Sequence, residues 1–223
     1  MFKAELHTQC ISQVGVTRNG NTLKPTTPYN VSHYIHRVLP SGPTGALLPG
    51  SEDGGRGREE GHQPVVGAPT ETGTVEWDYT RFVPHVAVVN LGTNDYDLSQ
   101  IVHEQPSLVH FQGNYTKFLL DVVARYSSSS TTTATSSSPA ASSSHLPALI
   151  VACGPMTSVQ CAAAERCAAE VAAAHPEMKV RFTNLTLPKD QLTGCIGHPN
   201  VKGHASLLDQ LAPVIRNVTG WDA

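Results

Sequence analysis

The sequence predicts an α/β fold, with a flavodoxin-like parallel sheet covered by helices on both faces. Three observations predict it. Apolar runs at 86–91, 146–152 and 179–185 are strand-like in length and content. Each is followed by a segment of helical character, at 111–126, 157–175 and 203–218. Regular strand–helix alternation requires crossover connections, which lay the strands parallel.

The elements can be justified in chain order. Residues 6–11 read as a short strand, and 31–39 as a short helix or turn. The run Val86-Ala87-Val88-Val89-Asn90-Leu91 is the clearest strand, climbing into the turn Gly92-Thr93-Asn94-Asp95. In the next segment Phe111, Tyr115, Phe118, Leu119, Val122 and Val123 recur at helical spacing. Residues 146–152 form a second buried strand, ended by Cys153-Gly154-Pro155. Thr157 is placed to cap the alanine-rich helix that stops at His175-Pro176. A third strand at 179–185 and an amphipathic helix at 203–218 complete the pattern.

At 223 residues the chain suits one domain, spanning 1–223. Two segments read as flexible insertions. Residues 40–74 are crowded with Gly, Pro and charge, and 127–144 are a Ser/Thr tract with too little apolar surface to offset its ordering entropy.

Charge and hydropathy exclude some functions. A net charge of −3 with no basic run argues against nucleic acid as a partner. No apolar stretch reaches the ~18–20 residues of a membrane helix, so no membrane partner is expected. The eleven histidines form no His-x-x-x-His pair, and the five cysteines form no Cys-x-x-Cys pair. Neither a metal nor another cofactor is expected, and the cysteines read as buried free thiols. Four Asn-x-Ser/Thr triplets, at Asn30, Asn114, Asn184 and Asn217, hint weakly at secretion, although the N-terminus lacks a signal-like apolar core. Oligomeric state is not legible.

In an open parallel sheet, ligands bind at the carboxyl ends of the strands. Gly92 to Asp95 follow one strand, and Gly197-His198-Pro199-Asn200-Val201-Lys202-Gly203-His204 follow another, so both fall on that edge. Each has a bland reading as well. Asn, Asp and Gly are ordinary turn residues, His198 could be a loop histidine, and His204 could be structural.

Taken together, these stretches resemble the SGNH (GDSL-type) hydrolases, and most closely their second carbohydrate esterase family, which deacetylates sugars. Trp77 to Asp95 is similar to that family's third block and the approach to it. Ser12 to Asn19 is similar to the second block, and Gly194 to His204 to the fifth. The resemblance implies a small-molecule or polysaccharide acyl ester as substrate, and a Ser-His acyl transfer. It implies oxyanion donors at the Asn94 amide and the Gly15 backbone N–H, and His198 as general base. Asp95, Cys195 and His204 take supporting places. The acidic residue that commonly stands three before the histidine is replaced by Cys195. Members of this branch can instead hold the imidazole with a backbone carbonyl, and Asp190 is another candidate.

The nucleophile is missing from the pattern. No Gly-Asp-Ser occurs, and Ser12 lies inside the second-block match. The expectation is therefore an N-terminally truncated esterase domain lacking its first strand, with its serine upstream. The alternative is a catalytically inactive fragment or relative, at most a glycan-binding module.

Overall fold

The structure is a computed structural model that describes residues 4–6, 8, 14–19, 31–34, 79, 82–96, 105–129 and 146–222. The elements are α1 (Val31–Tyr34), β1 (Val86–Asn90), α2 (Leu108–Ser129), β2 (Ala148–Cys153), α3 (Cys161–Ala174), β3 (Val180–Asn184) and α4 (Val201–Thr219), with short 3₁₀ turns at Lys189–Gln191 and Cys195–Gly197. The three strands make one parallel sheet in the order β1-β2-β3. The α/β class read from the alternation is the class observed.

The two-residue period of β2 sorts its side chains onto two faces. Leu149, Val151 and Cys153 join the larger core under α2 and α3, whereas Ala148 and Ile150 meet Val218, Leu211, Val214 and Ile215 of α4. Helices thus cover both faces, and β2 is buried along its whole length. All six apolar positions that marked the second helix are buried, from Phe111 to Val123. Phe111 stacks against Tyr96 on one side and Tyr115 on the other, with ring centroids 5.4 and 5.3 Å apart.

Several expectations need correction. Ala4 to Leu6 and Thr8 are irregular, with Leu6 exposed; His7 and residues 9–11, which make up most of the expected 6–11 strand, lie outside the described residues. Ser127 to Ser129 continue α2, with the Ser127 hydroxyl donating to the Val123 carbonyl at 2.8 Å. The remainder of that tract and all of 40–74 lie outside the described residues. Helix α3 starts at Cys161 with Gln160 as its N-cap, because Thr157 only accepts from the Val159 N–H within the preceding loop. Cys153 and Cys161 are not free thiols. They form a disulfide joining the end of β2 to the start of α3. Eight residues apart in sequence, they meet because the loop folds back over the sheet edge. Cys167 and Cys195 are free. No helix among the described residues is long and apolar enough to cross a membrane.

Candidate active site

The carboxyl edge of β1 is built around a buried carboxylate. Gly92, at φ 105°, turns the chain, and the Asp95 and Tyr96 N–H groups close onto the Gly92 and Thr93 carbonyls. This drives Asp95 inward, where it is wholly buried. Its carboxylate accepts the backbone N–H groups of Val16, Thr17 and Arg18 at 2.9, 2.7 and 2.9 Å. Burial raises the Asp95 pKa above its ordinary value, and those N–H groups offset only part of the rise. Tyr96, desolvated and beside the Asp95 charge, is pushed up to about 12.

The same turn presents Asn94. Its Nδ2 donates to the Val14 carbonyl at 2.9 Å, which fixes the amide plane against the 14–19 segment. Gly15 packs so tightly there that a Cβ would stand 1.8 Å from the Arg18 carbonyl oxygen. Its N–H is engaged, donating to Asn19 Oδ1 at 3.0 Å. The structure therefore brings Gly15, Asn94 and Asp95 together across about eighty residues of sequence. Arg18 is buried in this turn.

The second cluster follows β3. Gly194 donates its N–H to the His198 carbonyl, and the Gly197 N–H closes onto Gly194. Within this knot the Cys195 carbonyl accepts twice from His198, from its backbone N–H at 3.2 Å and from ring Nδ1 at 2.7 Å. A carbonyl can only accept, so Nδ1 carries a proton, and in the neutral imidazole Nε2 holds the lone pair. Asp190 does not take this role; its backbone carbonyl instead accepts from Asn200 Nδ2. The Cys195 side chain is exposed, and its contribution runs through its backbone. His204 sits exposed in the first turn of α4, its backbone N–H bonded to the Asn200 carbonyl.

Reading the sequence placed Asn200 and Gly203 in the histidine motif but missed how they build this loop. Asn200 caps α4 by accepting the Gly203 N–H at 3.0 Å, and its Nδ2 also reaches Thr193 Oγ1 at 2.8 Å. Gly203 is buried where a Cβ would lie 2.8 Å from the Gln191 carbonyl oxygen. The Asn-x-x-Gly spacing carried that signal, since it is the spacing of an N-cap and its N3 position. Gln160 was also missed. It is fully buried beneath Gly92, and neither polar atom of its amide has a partner among the described residues.

The two clusters occupy one edge because β1 and β3 both run parallel to β2. Two strand spacings place their ends roughly 10 Å apart. No hydrogen bond links the Asn94 and His198 side chains among the described residues. Nor do those residues contain a group of three or more His, Cys, Asp or Glu able to hold a metal.

Solved structures share this arrangement of strands and helices. An active-site mutant of a family two carbohydrate esterase from Clostridium thermocellum, solved in complex with a cello-oligosaccharide, matches 94% of this chain at a TM-score of 0.60 and 18% identity. The chain carries the fold of the family two carbohydrate esterases. An acetyl xylan esterase from the rumen bacterium Butyrivibrio proteoclasticus matches 67% of it at a TM-score of 0.50 and 18% identity. The chain spans about half of the Clostridium esterase, 48%, and 41% of the Butyrivibrio enzyme. No family model and no curated protein matches the sequence. The likeness to this esterase fold is therefore one of architecture, and the chemistry rests on the residues at its edge.

Proposed function

We propose that this chain forms part of a carbohydrate ester hydrolase, acting by Ser-His acyl transfer with the nucleophilic serine upstream of the sequence. One observation carries the reading. His198 has its Nδ1 proton tied to a carbonyl, leaving Nε2 as a base on the sheet edge that also presents the Asn94 amide.

Nε2 takes the proton of the attacking serine hydroxyl and returns it to the departing sugar alcohol. A second round with water releases the acid. The Asn94 amide, already aimed by Val14, donates to the oxyanion of each tetrahedral intermediate; one such donor is worth roughly 10²–10³ in rate. The Gly15 N–H joins it when Asn19 Oδ1 releases its bond. Asp95 holds the turn that positions both donors, and Cys195 positions the base through its carbonyl. His204 remains a supporting residue of the helix start. The fold shared with a cello-oligosaccharide complex and with an acetyl xylan esterase supports an acylated carbohydrate as substrate.

A second reading, a nucleophile-free relative that only binds glycan, is favoured by the lack of any Gly-Asp-Ser in the sequence. Hydrolysis of p-nitrophenyl acetate and of acetylated xylan separates the two. It is measured on the chain alone and on the chain extended by the reading frame upstream of Met1. Turnover that appears with the extension and vanishes in its His198→Ala variant supports the esterase. An extended protein no faster than its His198→Ala variant leaves the binding module.

A further inference from the structure

Three of the four Asn-x-Ser/Thr triplets have their asparagine among the described residues, and the fold treats them differently. Asn114 lies in the second turn of α2, half-buried, with Nδ2 donating to Thr17 Oγ1 at 3.2 Å. It braces the turn that Asp95 holds, so an oligosaccharide on its nitrogen would displace that turn. Asn184 ends β3 on the carboxyl edge, its Oδ1 3.7 Å from Cys161 Sγ, beside the candidate site.

Asn217 stands apart from both. It is exposed in the last turn of α4, next to buried Val218, and the Gly220 cap closes the helix behind it. Helix α4 begins at the histidine loop and ends at the opposite edge of the sheet. Lys179 Nζ, just before β3, donates to the Val218 carbonyl at 2.8 Å, and the Trp221 ring packs 5.5 Å from that of His85, just before β1. Nineteen helical residues separate Asn217's edge from His198's by roughly 27 Å at ~1.5 Å per residue. A large polar group there meets solvent and leaves both the core and the candidate site untouched. The Cys153–Cys161 disulfide is an independent pointer to the oxidising compartment in which asparagine-linked oligosaccharide is transferred.

We propose that Asn217 is an N-glycosylation site and that Asn114 stays unmodified in the folded protein. In the transfer, the Asn217 amide nitrogen forms a bond to C1 of an oligosaccharide carried on a polyprenyl diphosphate. The C1–O bond to the diphosphate breaks, the lipid diphosphate leaves with the bonding pair, and the nitrogen gives up one proton. The assignment is independent of the esterase reading.

The test directs the chain behind a heterologous leader into the secretory pathway of a eukaryotic host. Protein from the secretory fraction is treated with peptide N-glycanase in ¹⁸O-water and its peptides are mapped. Expected are ¹⁸O-labelled aspartate at position 217, none at 114, and an upward gel shift that shrinks by one glycan in Asn217→Gln. The Asn217 side chain is exposed and makes no hydrogen bond among the described residues, so this variant keeps the fold. An unlabelled Asn217, or label at Asn114 in soluble protein, overturns the proposal.

Discussion

The ring of His198 donates through Nδ1 to the carbonyl oxygen of Cys195 at 2.7 Å. The bond comes from the backbone, so the thiol is dispensable for it. In Cys195→Ala the Nδ1-protonated tautomer should persist, read as the imidazole pattern in ¹⁵N NMR. A switch to the Nε2-protonated form would show that the cysteine side chain, not its carbonyl, sets the base.

Asp95 gathers three backbone N–H groups in a site without water access. Asp95→Ala strands those donors at about 1–3 kcal/mol each when buried, so a loss of at least ~3 kcal/mol is expected in urea unfolding. A loss below ~1 kcal/mol would mean that the turn finds other acceptors.

The same residue gives a signed pH effect. Burial holds the Asp95 pKa above the ordinary 3.8, outweighing the N–H groups that lower it. Between 3.8 and that raised value the folded chain binds more proton than the unfolded one, so stability from this group falls as pH rises. Asp95→Asn, neutral throughout, removes that slope. The stability difference between wild type and Asp95→Asn should therefore shrink with rising pH across the window, and a growing difference contradicts the burial argument.

Ile196, next to the histidine, holds φ at 53° while 90% exposed. A β-branched residue pays a backbone cost there that glycine does not. Ile196→Gly should raise stability by about 0.5–1 kcal/mol, measured by denaturant midpoint. A destabilised variant would reveal a partner for the isoleucine side chain.

The Cys153–Cys161 bridge closes a short loop of separation 8. Its removal in the Cys153→Ser/Cys161→Ser variant should cost roughly 2–3 kcal/mol by loop-closure entropy. Wild type unfolded in reductant should fall to the variant's level. Indifference to reductant would mean that the thiols are free.

Much of this architecture was legible in the chain because its signals are local. Val86 to Leu91 reads as a strand from six consecutive residues, and Phe111 to Val123 as a helix from the spacing of apolar residues. Element ends were less legible. Thr157 has the chemistry of a cap, yet α3 waits until Cys161 because the disulfide and the buried Gln160 fix where the helix meets the sheet.

The sequence by itself determined the α/β order, the sheet edge on which Asn94 and His198 fall, and the residue types available there. Only the tertiary structure decided how they are held. Asp95 is a turn residue in sequence and becomes the anchor of residues 16–18, which lie nearly eighty positions away. Cys195 replaces an expected acid in sequence, and the 3₁₀ turn supplies a carbonyl in its stead. Cys153 and Cys161 meet only because β2 and α3 pack together. Each is a contact whose energy depends on geometry set by distant segments, and residue order alone carries no measure of that distance.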